Sequence, residues 1–151
     1  MQLISTAFQE NDVIPKQFTA DERDVSPPLE WHDVPAGTRS LALICEDPDA
    51  PRGTFTHWVA YNLPAESDHL AEGVPPKKTL PNGAAQGIND FSNVGYGGPS
   101  PPPGKPHRYY FKLFALDQLL NLEAGTNKIE LLAAMKGHVL GEAQLMGTYG
   151  R

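Results

Sequence analysis

Apolar residues fall into short runs separated by turn-forming residues, which is the pattern of a β-rich fold. The clearest run covers residues 39–46, where Leu41 and Leu43 occupy one face of a strand and Ala42 and Ile44 occupy the other. A strand that is apolar on both faces lies in the middle of a sheet that is covered on both sides. The pattern therefore predicts a central strand that ends at the following acidic turn.

Two further strands are predicted, over residues 57–63 and 107–117. In the second of these, side chains alternate between the two faces, and the odd positions continue an apolar stripe. His107 and Tyr109 belong to that stripe, so we expect both at the rim of the core. The intervening residues 65–106 read as a long loop, a feature that is usually functional in a compact domain.

One helix is predicted over residues 127–140, with Asn127 as its N-cap and Glu130 completing a capping box. Gly141 would be the glycine that follows the helix, and residues 142–151 would form one last short extended piece. The side chains expected to face the sheet are Ile129, Leu132, Ala133, Val139 and Leu140.

The length and composition predict a single domain spanning residues 1–151, mostly β, with one or two peripheral helices. A chain of 151 residues with 40% hydrophobic content is long enough to bury a core. Its 15 prolines and 14 glycines are spread between short β-branched and aromatic runs, so they indicate turns rather than disorder.

The charge pattern argues against nucleic acid and membrane surfaces as partners. The formal net charge is −6 and no cluster of basic residues stands out. No apolar stretch reaches the roughly 20 residues of a membrane span, and Met1–Ser5 does not resemble the start of a signal peptide. A single cysteine, Cys45, cannot form an internal disulfide, and its apolar surroundings predict a buried thiol. We therefore expect a cytoplasmic protein without an integral membrane segment.

Two polar, proline-rich loops carry the candidate chemistry. The first, residues 47–51, reads Asp-Pro-Asp-Ala-Pro and is followed by His57 at the start of the next strand. Prolines stiffen this loop, so its carboxylates are predicted to orient the imidazole of His57. The second, residues 95–104, is glycine-rich, includes the hydroxyl of Tyr96, and leads into His107. Glycine-rich turns can offer backbone N–H groups to an anion.

Each of these elements, taken alone, is more often a turn or a structural histidine. Their joint occurrence predicts a small pocket for an anion, since ionisable groups are costly to bury without a partner.

The same motifs strongly resemble the phosphatidylethanolamine-binding protein family, and within it the short prokaryotic branch described as Raf-kinase-inhibitor-like. The resemblance covers essentially the whole chain. It rests on the two loops with their histidines, His57-Trp58 and His107-Arg108-Tyr109, and on Asp24-Val25-Ser26-Pro27-Pro28-Leu29, Trp31, Gly87-Ile88-Asn89-Asp90-Phe91 and Gly137-His138.

The resemblance implies a central antiparallel β-sheet core, a surface pocket for phosphate-like groups, and no cofactor or metal. It also implies a cis peptide at Ala50-Pro51. The run 99–106 is proline-heavier than the usual form of the family, which predicts an altered pocket rim. The residues expected to bind ligand, from the resemblance and the loops together, are Asp47, Asp49, Pro51, His57, Tyr96, Gly98, Pro99, His107 and Tyr109.

The expected function is non-enzymatic binding of small anions, such as phosphate or the phosphoethanolamine head group, with an open regulatory role toward a protein partner. The alternative is an enzyme that uses His57 and His107 with Asp47 or Asp49, as a metal site or as a hydrolase. The hydrolase is the weaker form of this alternative, because neither motif suggests a Ser or Cys nucleophile. A homodimer is also expected, although no pattern in the sequence indicates the oligomeric state.

Overall fold

The computed structural model describes residues 1–151 and contains two antiparallel sheets and one short α-helix. No helix in it is long and apolar enough to cross a membrane. In chain order the elements are β1 Gln2–Ile4, β2 Leu29–His32, β3 Ser40–Asp47, β4 Phe55–Pro64, β5 His69–Leu70, β6 Ala85–Gln86, β7 His107–Leu116, α1 Lys128–Met135 and β8 Val139–Tyr149.

The larger sheet has five strands in the order β6-β4-β3-β7-β8, and the smaller has three in the order β1-β2-β5. The long loop predicted over residues 65–106 carries two of these strands, β5 and β6, each only two residues long. Every strand pairing is antiparallel. The predicted mostly β fold with antiparallel sheets and a peripheral helix is confirmed.

Strand β3 lies at the centre of the larger sheet and is buried along its whole length. Leu41 and Leu43 join a core of 21 buried residues that includes Leu29 and Trp31 of the smaller sheet. Ala42 belongs to a second core of nine buried residues on the opposite face. The central position predicted from its two apolar faces is confirmed, and Cys45 is buried as expected.

The helix is shorter than the prediction and presents a different face. Asn127 is the N-cap, as predicted, and its side chain accepts the Glu130 N–H at 2.9 Å. The helix ends at Met135 rather than residue 140, because Gly137 takes a left-handed conformation (φ 82°) and the chain turns into β8. Val139 and Leu140 therefore begin a strand that is 11 residues long, where a short extended tail was expected.

The predicted inward face of the helix is also wrong. The side chains packed against the sheet are Leu131 and Met135, whereas Ile129, Leu132 and Ala133 face outward. A helix with apolar residues on every side gives no clear amphipathic signal, so the sequence pattern does not select the buried face.

The buried face of the helix can be tested by a pair of substitutions. Leu131 has no exposed surface and Ile129 is 76% exposed. We expect Leu131→Ala to lower the free energy of unfolding by about 2–5 kcal/mol, because it leaves a cavity. Ile129→Ala should change it by no more than about 0.5 kcal/mol. Urea unfolding monitored by circular dichroism compares the two, and equal losses would contradict this packing.

Candidate functional site

A cavity of about 180 Å³ opens where β3, β4 and β7 end at the same edge of the larger sheet. It combines ionisable groups with an apolar rim, so it is the natural candidate for a binding site. Its lining consists of Asp47, Ala50, Pro51, Phe55, His57, Phe91, Ser100, Pro101, Pro102, His107 and Tyr109. We call this cavity the pocket.

Asp47 and His107 form a buried pair at the base of the pocket. Asp47 ends β3 and His107 begins β7, and the uninterrupted pairing of these strands brings the two residues together. His107 Nδ1 lies 2.7 Å from Asp47 Oδ2. A carboxylate accepts hydrogen bonds, so His107 carries a proton on Nδ1. Sequence reasoning assigned the orienting carboxylate to His57, and the strand register shows that Asp47 instead orients His107.

His57 reaches the pocket through a β-bulge. Cys45 of β3 pairs with Trp58 of β4 and Glu46 pairs with Thr56, so His57 is the extra residue between them. Trp58 belongs to the core between the sheets, and strict alternation would send His57 to the opposite, helix-covered side. The bulge instead places His57 beside the pocket, which is a common use of bulges at sites.

The His57 ring is held by a backbone acceptor. Its Nδ1 lies 2.6 Å from the carbonyl oxygen of Gly97, which can only accept, so this Nδ1 also carries a proton. Burial lowers the pKa of His57 below its ordinary value of 6.5, although the Gly97 carbonyl and the charges of Asp47 and Asp90 partly oppose that shift. The folded protein therefore favours the neutral form of this ring.

In both rings Nδ1 is engaged by the protein, and Nε2 has no protein partner. A neutral ring with its proton on Nδ1 has a lone pair on Nε2 and can only accept there. With both rings neutral, the one charged side chain among the pocket residues is the Asp47 carboxylate, and the formal charge is −1. One bound proton brings the pocket to neutrality, and a second makes it positive. The protonation state of the two histidines therefore determines whether the pocket repels or attracts an anion.

Tyr109 supplies a further polar group. It is 1% exposed, and its hydroxyl is the one buried side-chain atom without a hydrogen-bond partner. Burial, together with the charge of Asp47, raises its pKa, so the phenol stays protonated and can donate. An unpaired buried hydroxyl costs stability, so the Tyr109 hydroxyl is a candidate donor to a ligand.

Two phenylalanine rings also line the pocket. Phe55 and Phe91 pack on the His57 ring, with ring centroids 5.0 and 5.4 Å away. Phe91 remains 40% exposed. The pocket therefore pairs a polar base with an apolar rim, and a ligand with one polar end fits this division.

Five predicted residues line the pocket: Asp47, Pro51, His57, His107 and Tyr109. Asp49 does not. Its two carboxylate oxygens accept from Arg108 Nε at 2.9 Å and Nη2 at 2.8 Å, and one also accepts the Arg108 backbone N–H. The Arg108 guanidinium lowers the pKa of Asp49 to about 2. Asp49 is thus a partner of β7 at the rim.

The glycine loop supports the pocket from behind rather than lining it. The hydroxyl of Tyr96 donates to the Phe18 carbonyl at 2.6 Å. The N–H groups of Gly95, Gly97 and Gly98 all donate to protein acceptors, the last to the Asp24 carboxylate at 2.7 Å. The expectation that these N–H groups receive an anion is therefore wrong for this structure.

Gly98 and Pro99 position the loop. A Cβ on Gly98 would lie 2.5 Å from the Phe18 carbonyl oxygen, so only glycine allows this close approach. Pro99 is buried, and its carbonyl accepts the Ala20 N–H at 3.0 Å. Both residues hold the second loop against the segment around residues 18–24.

The implied cis peptide at Ala50-Pro51 is absent, since the structure contains no cis peptide bond. The Gly53 N–H donates to the Ala50 carbonyl at 3.1 Å, so residues 50–53 form a turn. Pro51 takes its second position, where an ordinary trans proline is favoured.

Sequence reasoning did not predict six residues that line the pocket, namely Ala50, Phe55, Phe91, Ser100, Pro101 and Pro102. Ser100 belongs to the second loop and is the one serine that lines the pocket. Its Oγ accepts from Arg151 Nη2 at 3.3 Å and has no histidine partner. No group of three or more His, Cys, Asp or Glu side chains is arranged to hold a metal ion.

Comparison with known proteins identifies the family of the chain. The sequence model described as phosphatidylethanolamine-binding protein matches residues 4–150. The chain belongs to the phosphatidylethanolamine-binding protein family. The resemblance noted from the two loops is therefore confirmed, and it extends over nearly the whole chain.

Several relatives cover the full length of this family member. A UPF0098 protein of Methanothermobacter thermautotrophicus is 52% identical over 151 residues, covering 100% of this chain and 99% of its own. A UPF0098 protein of Aquifex aeolicus is 47% identical and covers 100% of this chain and 89% of its own.

Two solved structures share the fold. The phosphatidylethanolamine-binding protein homologue CT736 of Chlamydia trachomatis superposes with a TM-score of 0.90 at 43% identity, covering 99% of this chain and 97% of its own. YbcL of E. coli, described as a new member of the mammalian family, superposes with a TM-score of 0.91 at 30% identity, covering 99% and 98%.

The protonation state of His57 makes the site testable. We expect an NMR titration of its ring to give a midpoint below 6.5, because burial disfavours the charged form. The unfolded chain then binds the proton more readily, so the free energy of unfolding should fall as the pH drops below about 6.5. The decline should be shallower in His57→Gln, and urea unfolding at several pH values measures the difference. A midpoint above 6.5 would contradict the buried neutral ring.

Proposed function

We propose that the protein binds small phosphate-bearing ligands, such as inorganic phosphate or phosphoethanolamine, in the pocket and does not transform them. The observation that carries the proposal is that one cavity of about 180 Å³ is lined by His57, His107 and Tyr109, whose Nε2 atoms and hydroxyl have no hydrogen-bond partner in the protein. Membership of the family supports a binding protein in general terms.

The chemistry of a phosphate suits this arrangement. The Tyr109 hydroxyl can donate to one phosphate oxygen. Each Nε2 can accept from a P–OH group, or can donate to an unprotonated oxygen once the ring is charged. The aromatic rim of Phe55 and Phe91 would cover the carbon substituent of the ligand. Unlike sulfate, inorganic phosphate and phosphate monoesters can themselves bring a proton to this site near neutral pH.

The non-enzymatic part of the proposal is supported by the hydrogen-bond pattern. Ser100 is the one hydroxyl-bearing residue besides Tyr109 among those lining the pocket, and its Oγ is held by Arg151 instead of a base. An activated nucleophile needs such a base within hydrogen-bond reach.

A regulatory role toward a protein partner, a homodimer and a cytoplasmic location also remain proposals.

Tyr109→Phe tests the ligand site with the smallest possible change. Removing an unpaired buried hydroxyl should leave the ligand-free protein as stable as the wild type, or more stable by about 1 kcal/mol. Affinity for phosphoethanolamine should fall about 5- to 10-fold, because one hydrogen bond to the ligand is lost. Isothermal titration and thermal unfolding measure the two effects.

The matched controls use other histidines. His57→Ala combined with His107→Ala should abolish the binding heat, whereas His69→Ala, which changes an exposed ring, should not. No heat from the wild-type protein with either phosphate or phosphoethanolamine at millimolar concentration would overturn the proposal.

Binding should be coupled to proton uptake. Sulfate has no titratable proton near neutral pH, so the proton that makes the pocket receptive to it must go to His57 or His107. We expect sulfate affinity to rise as the pH falls below about 6.5, because burial lowers the pKa of His57 beneath its ordinary value of 6.5. Titrations in two buffers with different ionisation enthalpies should show net proton uptake. Affinity that is independent of pH, with no proton uptake, would contradict the charge balance of the pocket.

A further inference from the structure

One wall of the pocket is held in place by a single residue, Arg151, which is distant from it in sequence. The segment 100–104, which we call the proline wall, contains three consecutive prolines that have no N–H groups to donate. All hydrogen bonds of this wall go to Arg151. Its Nη1 donates to the Pro101 carbonyl at 3.0 Å, its Nη2 donates to Ser100 Oγ at 3.3 Å, and its own carbonyl accepts the Gly104 N–H at 3.2 Å.

Arg151 is itself held by Asp21. Its Nη2 lies 2.6 Å from Asp21 Oδ1, and its Nε lies 3.1 and 3.2 Å from the two carboxylate oxygens. The Tyr149 hydroxyl donates to Asp21 Oδ2 at 2.6 Å. These hydrogen bonds lower the pKa of Asp21 to about 2, so it stays charged at neutral pH. A planar guanidinium with five donors can bridge the carboxylate and the wall at once, which lysine cannot do.

The proline wall separates two cavities. On one side lies the pocket, lined by Ser100, Pro101 and Pro102 among others. On the other side lies an open groove of about 720 Å³, lined in part by Pro103, Lys105 and Arg108. Pro102 and His107 border both spaces. A displacement of the wall would therefore join the small pocket to a groove four times its volume.

We propose that Arg151 is a specificity-determining residue that sets the size of ligand the pocket accepts. With Arg151 bridging Asp21 and the proline wall, the pocket takes a phosphate group with a small substituent. Without that bridge the wall yields toward the groove, and bulkier phosphate esters enter. The identity of the ligand rests on the proposed function, whereas the bridge itself rests only on the contacts of Arg151.

The bridge is tested first without any ligand. In Arg151→Ala, amide hydrogen exchange at Gly104 should accelerate about 10-fold or more, because a wall without its side-chain hydrogen bonds no longer holds the Gly104 N–H against the backbone oxygen of residue 151. The rest of the sheet should be unaffected. Arg151→Lys and Asp21→Asn should show smaller increases, and both serve if the alanine variant folds poorly. Arg23→Ala, which removes an exposed cation near Asp21, is the matched control.

Ligand size is tested next, with two phosphate monoesters, phosphoethanolamine and the bulkier inositol 1-phosphate. We expect the wild type to favour phosphoethanolamine, and Arg151→Ala to reduce that preference about 10-fold. Unchanged exchange at the wall overturns the bridge. Binding with an unchanged preference overturns the size limit alone. If the wild type binds neither ester, the proposed function fails and the size limit fails with it.

Discussion

Both histidines of the pocket donate their Nδ1 proton to a fixed protein acceptor, and this constraint governs what the site can offer a ligand. His107 donates to the Asp47 carboxylate and His57 donates to the Gly97 carbonyl. Each Nε2 is then an acceptor while its ring is neutral and a donor only after a proton arrives. The site therefore carries no permanent positive charge, and its affinity for an anion depends on how many protons the two histidines have bound.

The features that sequence reasoning found depend on local pattern. The run that became β3 is apolar at consecutive positions, which suffices to predict a strand covered on both faces. Alternation along β7 correctly put His107 and Tyr109 on the core-facing side. The two loops, although about fifty residues apart in sequence, were expected to meet, and Asp47 indeed lies beside His107.

The features it missed depend on long-range geometry. The β-bulge at His57 leaves no visible break in the sequence pattern, because its neighbours are a polar residue and an aromatic residue. The sequence therefore could not show that Asp47 pairs with His107 and that His57 pairs with the Gly97 carbonyl. The N–H of Gly98 was predicted to bind an anion, but it donates to the carboxylate of Asp24, which lies 74 residues away in sequence. Arg151 contacts the proline wall across 50 residues and carries no local motif. These contacts are set by how the sheets pack, not by spacing.

Family membership and the individual contacts of this chain explain different features of the protein. Membership establishes the fold, which the structures from C. trachomatis and E. coli share at TM-scores of 0.90 and 0.91. The hydrogen bonds of this chain describe the protonation of the pocket and the support of its wall. The proline-rich wall offers few backbone donors of its own, which is why one arginine gains so much influence over the shape of the site.

The most direct test of the account is the ¹⁵N chemical shifts of the two imidazole rings, measured with and without phosphate. In the ligand-free protein at slightly alkaline pH, we expect both rings to carry their proton on Nδ1 and none on Nε2. On saturation with phosphate, at least one Nε2 should shift toward the protonated or hydrogen-bonded value. A free protein with its proton on Nε2 of either ring, or shifts that phosphate leaves unchanged, would contradict it.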